Sequence, residues 1–252
     1  MFFQRMYNIR DPEVKILLSF SVIFILSLSL SLIPEILPIS NFQIGEMIFP
    51  VFQTIQLLIV LPLVILITYF LFIRKNHITW KNLGFSTGEK SLRFTLLLGI
   101  LGGLIIGFYD YFTMNHFILG NNQILPNFFE KCIAAPVWEE FFFRVITLTL
   151  FEVIFITLTV KTIFNLPKFK NKFTESDKRW ITLEFYVIII GLNAYFFTTA
   201  HATFSLNIFF FGVIACIVFL KSKSIIAPII THVMSNFVTG GFLFLILHIL
   251  FR

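Results

Sequence analysis

Seven apolar runs, at about residues 16–34, 50–73, 94–113, 131–163, 183–202, 206–220 and 224–250, divide this chain. Most have the roughly 20 residues that an α-helix needs to cross a bilayer. Backbone polar groups in hydrocarbon must find partners within the protein, so such runs fold as helices. The expected fold is all-α: a polytopic transmembrane helical bundle of seven helices, or eight if Gly240-Gly241 divides the last run. The stretch 206–220 is short for a span. With 58% hydrophobic and only 13% charged residues among 252, a soluble domain is excluded, because it could not bury so much apolar side chain. Without tandem repeats, heptads or low-complexity tracts, residues 1–252 read as one membrane domain.

The net charge of +6 is informative by position. Arg5, Arg10 and Lys15 precede the first run. Arg74, Lys75, Lys81, Lys90 and Arg93 separate the second from the third. Lys161, Lys168, Lys170, Lys172, Lys178 and Arg179 follow the fourth, and Lys221 and Lys223 follow the sixth. The segment 35–49 holds Glu35 and Glu46 but neither Lys nor Arg. Basic residues mark cytoplasmic loops, so the expectation is a multi-pass protein of the cell membrane with a cytoplasmic N-terminus. Basic residues gathered in loops serve the lipid bilayer and argue against a nucleic-acid partner. No small-residue cleavage site follows the first run, which reads as a retained span. Cys132 and Cys216 lie in apolar surroundings and are expected to pack as small hydrophobes. Gly99, Gly103 and Gly107 leave one helix face bare for close packing.

Three ionisable residues, Glu139, Glu140 and Arg144, interrupt the apolar fourth run. Each costs roughly 2.5–3.5 kcal/mol at a helix centre, so such groups are paired or functional. Residues four apart share a helix face, which makes Glu140–Arg144 a structural ion pair and turns Glu139 about 100° away, available for chemistry. Glu152 falls on roughly the Arg144 face and is expected to extend that network. Asn193, Phe197 and His201 form one stripe in the fifth run, and His232 and Asn236 another in the seventh. Polar groups that lipid cannot satisfy converge most economically on one internal pocket, with Asn193 and Phe197 in support. Counting about 1.5 Å per residue from the loop ends puts Glu139 and His232 near mid-membrane but His201 close to the outer surface. Asp110, His116, Glu184 and His248 read as interfacial.

Glu139-Glu140-x-x-x-Arg144, Phe197-x-x-x-His201 and His232-x-x-x-Asn236, in this order on successive apolar runs, resemble the CAAX protease and bacteriocin-processing family of intramembrane proteases. The run Ser224–Ile229 ahead of His232 resembles the family's last motif, and the resemblance spans about residues 130–240. It implies peptide-bond hydrolysis in a membrane-associated protein or peptide. Glu139 would be the general base, His201 would help activate water, and His232 and Asn236 would stabilise the oxyanion. The interval between Glu140 and His201 is long for the family; its extra length is the basic segment Lys161–Arg179, expected as a cytoplasmic connection. Glu139, His201 and His232 also form a ligand set for a divalent metal such as zinc, with an open fourth position. The chain lacks the compact HExxH helix, and the reading carried forward commits to no cofactor. Two other classes stay open: a non-enzymatic immunity or scaffolding protein that binds a membrane-active peptide, and a transporter with a proton relay. No inverted repeat or paired broken helix supports the transporter.

Overall fold

The computed structural model describes residues 12–32, 41–44, 46–88, 91–113, 124–166, 169, 172–201, 204–240, 242, 243, 246 and 250. Arg5, Arg10, Glu35, Lys90, His116, Lys168, Lys170, Gly241 and His248 lie outside the described residues. Seven helices are present among the described residues: α1 (Pro12–Ser31), α2 (Val51–Ile73), α3 (Leu92–Thr113), α4 (Ile124–Asn165), α5 (Glu175–Thr199), α6 (Leu206–Ser222) and α7 (Ile226–Thr239). The first five are long and apolar enough to cross a membrane; α6 and α7 are shorter. The expected helical membrane bundle is therefore observed. One antiparallel hairpin, β1 (Phe42–Ile44) with β2 (Met47–Phe49), stands before α2.

Two helix ends differ from the apolar runs for local reasons. α5 begins at Glu175 rather than near 183, because Thr174 caps it: the Thr174 hydroxyl accepts from Asp177 N, and the Asp177 carboxylate accepts from Thr174 N. α7 ends at Thr239 with Gly240 as its C-cap, well short of 250. At 42 residues α4 is ~60 Å long, about twice the hydrocarbon thickness. It contains three stretches of π-helical turns, at Glu130–Ala134, Phe141–Leu148 and Glu152–Val160.

Pairwise contacts fix the helix directions. α4 and α5 run antiparallel: Asn193 reaches Phe143 and Arg144, while further along Tyr186 reaches Glu152. α5 and α6 are antiparallel through Asn193–Cys216 and Phe197–Phe211. α3 and α7 run parallel and very close, as the bare glycine face requires. A Cβ on Gly103 would stand 2.5 Å from both the Met234 Cβ and the Thr231 carbonyl oxygen, and one on Gly99 would stand 2.7 Å from the Ala227 carbonyl. Gly191 of α5 would meet nothing within 4 Å. Gly103→Val is expected to destabilise the bundle at the upper end of the ~1–3 kcal/mol typical of overpacking, because a backbone carbonyl cannot step aside. Gly191→Ala should leave the folded fraction unchanged or slightly higher. Size-exclusion profiles of detergent-extracted protein check both; equal profiles would refute the packing role of Gly103.

Glu152 does not extend the Arg144 network. Its carboxylate accepts from the Tyr186 hydroxyl at 2.7 Å and from Lys223 Nζ at 3.3 Å. The wide π turns at 141–148 rotate the face between the two residues, so regular α-helical spacing fails there.

Candidate active site

The site is assembled across α4, α5, α6 and α7, upward from a buried clasp. Arg144, fully buried, donates from Nε to Glu140 Oε2 at 2.8 Å, so the expected i,i+4 ion pair is present. Its Nη1 donates to Asn193 Oδ1 at 2.6 Å, and its guanidinium stacks over the Phe197 ring at 4.7 Å. Asn193 Nδ2 donates to the Phe143 carbonyl at 2.8 Å, satisfying both ends of its amide. The Cys216 thiol donates to the same Asn193 oxygen at 3.1 Å. Cys216 is thus a member of a polar network, a correction to its reading as a small hydrophobe; the apolar neighbours in its sequence said nothing of the amide brought in from α5. Cys132 is buried and unpaired by any disulfide.

Glu140 has a second task that sequence spacing did not reveal. Its Oε1 lies 3.0 Å from His232 Nδ1, so the carboxylate that holds Arg144 also orients a histidine of α7. His201, just past the end of α5, has Nδ1 2.8 Å from the Phe197 carbonyl oxygen. Both partners only accept, so each ring carries hydrogen at Nδ1 and, when neutral, turns an Nε2 lone pair outward. Those two nitrogens face Glu139 Oε2, at 3.5 Å from His201 and 4.0 Å from His232. The outward position expected for His201 relative to Glu139 is corrected. The two residues lie equally far from the connection between α4 and α5, and antiparallel packing brings them to one depth once α5 starts at Glu175.

Three acceptors meeting at one point repel each other until hydrogen is placed between them. Glu139 Oε2 itself is buried and accepts no hydrogen bond among the described residues. A water contributes two hydrogens, and the separations of 3.5 and 4.0 Å exceed those of a direct hydrogen bond, so a water seated against all three atoms supplies what they lack. Among the described residues no three His, Cys, Asp or Glu side chains are grouped closely enough to hold a metal ion, so the donor atoms do not fit the zinc site that their types allow.

Asn236, one turn beyond His232, donates from Nδ2 to the Lys131 carbonyl at 2.6 Å. Pro136 explains why a side chain takes that place: in the π turns the N–H of residue 136 would pair with the Lys131 carbonyl, and proline has none. The second Nδ2 hydrogen is left for a ligand. Glu139, His201, His232 and Asn236 line one cavity of about 500 Å³, together with Asp110, Glu130 and Phe211. Sequence reasoning treated Asp110 as interfacial and made nothing of Glu130 or Phe211; single acidic or aromatic residues near helix ends carry no motif.

Residues 121–238 match the family model of Rce1-like type II CAAX prenyl endopeptidases. No curated protein and no solved structure matches the chain. The matched segment contains every residue of the clasp and of the cluster around Glu139. With helices long and apolar enough to span a bilayer, residues 121–238 carry a membrane protease domain of the CAAX protease and bacteriocin-processing family.

Proposed function

We propose that this chain is an intramembrane endopeptidase that cleaves a membrane-associated protein or peptide with water activated by Glu139 and His201. The observation that carries the reading is the convergence of one carboxylate oxygen and two imidazole nitrogens in an accessible cavity, each histidine anchored from behind by an acceptor. Water held between Glu139 and His201 gives a proton to Glu139 as its oxygen bonds to the scissile carbonyl carbon. The carbonyl oxygen takes the negative charge next to the second amide hydrogen of Asn236 and next to His232, which in its protonated form carries an Nε2–H in addition to the Nδ1–H held by Glu140. Glu139 then passes the proton to the departing amine nitrogen as the C–N bond breaks, and ends as it began. Glu140 and Arg144 act as positioning residues.

No step runs through a metal. Cleavage by purified protein is accordingly expected to persist in excess EDTA or phenanthroline; activity lost with chelator and restored by zinc would overturn that mechanism.

The test of the function is a peptidome of membranes and medium from host cells carrying either the wild-type chain or Glu139→Gln at matched abundance. A protein that accumulates uncut only in the variant is the expected result and names the substrate. An unchanged peptidome would remove the peptidase reading in favour of a binding role.

A further inference from the structure

The helix directions set the described basic connections on one face and the cavity at the other. Arg74, Lys75 and Lys81 follow α2, Arg93 opens α3, Lys178 and Arg179 open α5, and Lys221 and Lys223 close α6. Two of these connections touch: Ser86 Oγ donates to the Lys223 carbonyl at 3.1 Å, Ile225 N donates to the Gly84 carbonyl at 3.0 Å, and Lys223 pairs with Glu152. They form a single basic face. The cavity is lined from the opposite helix ends: Gln53 near the start of α2, Asp110 near the end of α3, Glu130 near the start of α4, His201 after α5, Ile208 near the start of α6 and Gly240 after α7. Lys131 is the one lysine or arginine among its described lining residues.

The cavity is also closed toward the basic face. Directly beneath it lie Glu140, Arg144, Asn193, Ala194, Ala215 and Cys216, all with no exposed surface. Above them, the side chains of Glu139 and His201 keep 23% and 32% of their surface. A peptide chain has no route to Glu139 through the Arg144 clasp.

Because Lys and Arg mark cytoplasmic loops, we infer that the cavity takes its substrate from the non-cytoplasmic side. The substrate class is then a membrane-anchored protein or peptide whose scissile bond lies at the non-cytoplasmic end of its membrane segment, not one in a cytoplasmic tail. This inference rests on the peptidase reading for its substrate and on helix direction and charge for its sidedness, and the two can fail separately.

Single cysteines at Gln53→Cys and Tyr111→Cys, both lining the cavity, and at Lys81→Cys on the basic face are labelled with a membrane-impermeant maleimide. Labelling is compared in intact spheroplasts and in inverted vesicles, with the wild type, whose two cysteines are buried, as the blank. The expected result is that either cavity position labels in spheroplasts and Lys81→Cys only in inverted vesicles; two cavity positions guard against one variant misfolding. Cut sites that disappear in Glu139→Gln should map to the non-cytoplasmic side of their substrates. The reverse labelling with Glu139-dependent cuts retained overturns the sidedness and leaves the peptidase. The expected labelling with no Glu139-dependent cut upholds the sidedness and overturns both the peptidase and the substrate class.

Discussion

Glu139→Gln is expected to lower cleavage by about 10²–10⁴-fold, the usual contribution of a positioned general base, while the amount of folded protein stays at the wild-type level. The two carboxylates are adjacent in sequence and differ in everything else. Glu139 Oε2 accepts no hydrogen bond among the described residues, and its nearest polar neighbours are imidazole nitrogens at 3.5 and 4.0 Å. An amide of the same shape therefore breaks no hydrogen bond to this oxygen and leaves no cavity. What it loses is the capacity to accept and return a proton. Glu139→Asp keeps the charge but withdraws it by one methylene, and misplacement of about 1 Å is enough to cost 10²-fold. Rates on the substrate named by the peptidome, measured at matched protein concentration, decide the matter. A Glu139→Gln enzyme at the wild-type rate would eliminate the carboxylate as base.

For Arg144→Ala the expectation is inverted, with loss of folded protein before any loss of rate per folded molecule. Removing one partner of a buried ion pair costs roughly 3–5 kcal/mol, a large part of the 5–15 kcal/mol that holds a typical domain together. Here the Arg144 side chain is wholly buried and its departure strands more than Glu140. Asn193 Oδ1 loses its charged donor, one of the two bonds that tie this amide to α4. Glu140→Gln should be nearly as harmful, since it leaves a guanidinium uncompensated, and it should also disturb cleavage by the surviving fraction through His232. The double variant Glu140→Gln/Arg144→Met, which buries no unpaired charge, should be more stable than either parent single. Thermal denaturation in detergent ranks the three. Additive losses in the double variant would show that the pair is not coupled.

Much of this was legible from residue order because the bilayer acts locally. A span must be a helix wherever roughly 20 apolar residues run together, so the five long spans and the short sixth helix follow from composition along the chain. An ion pair at i,i+4 is equally local, and Glu140–Arg144 needed only helix geometry. The polar stripes Asn193–His201 and His232–Asn236 were visible for the same reason, and their order carried the family resemblance.

What remained hidden depends on how one helix lies against another. The bond from Glu140 to His232, the thiol of Cys216 on Asn193, and the amide of Asn236 on the Lys131 carbonyl each join residues far apart in the chain. The π turns of α4 also shift its faces, which sent Glu152 to Tyr186 and Lys223 instead of Arg144. Residue order was enough for the helices, their succession and the types of side chain that a membrane would not tolerate unpaired. Which of these meet, and toward which face their cavity lies, emerged with the packing, because contacts between helices are set by direction, rotation and depth, and none of the three is encoded by a spacing along one chain.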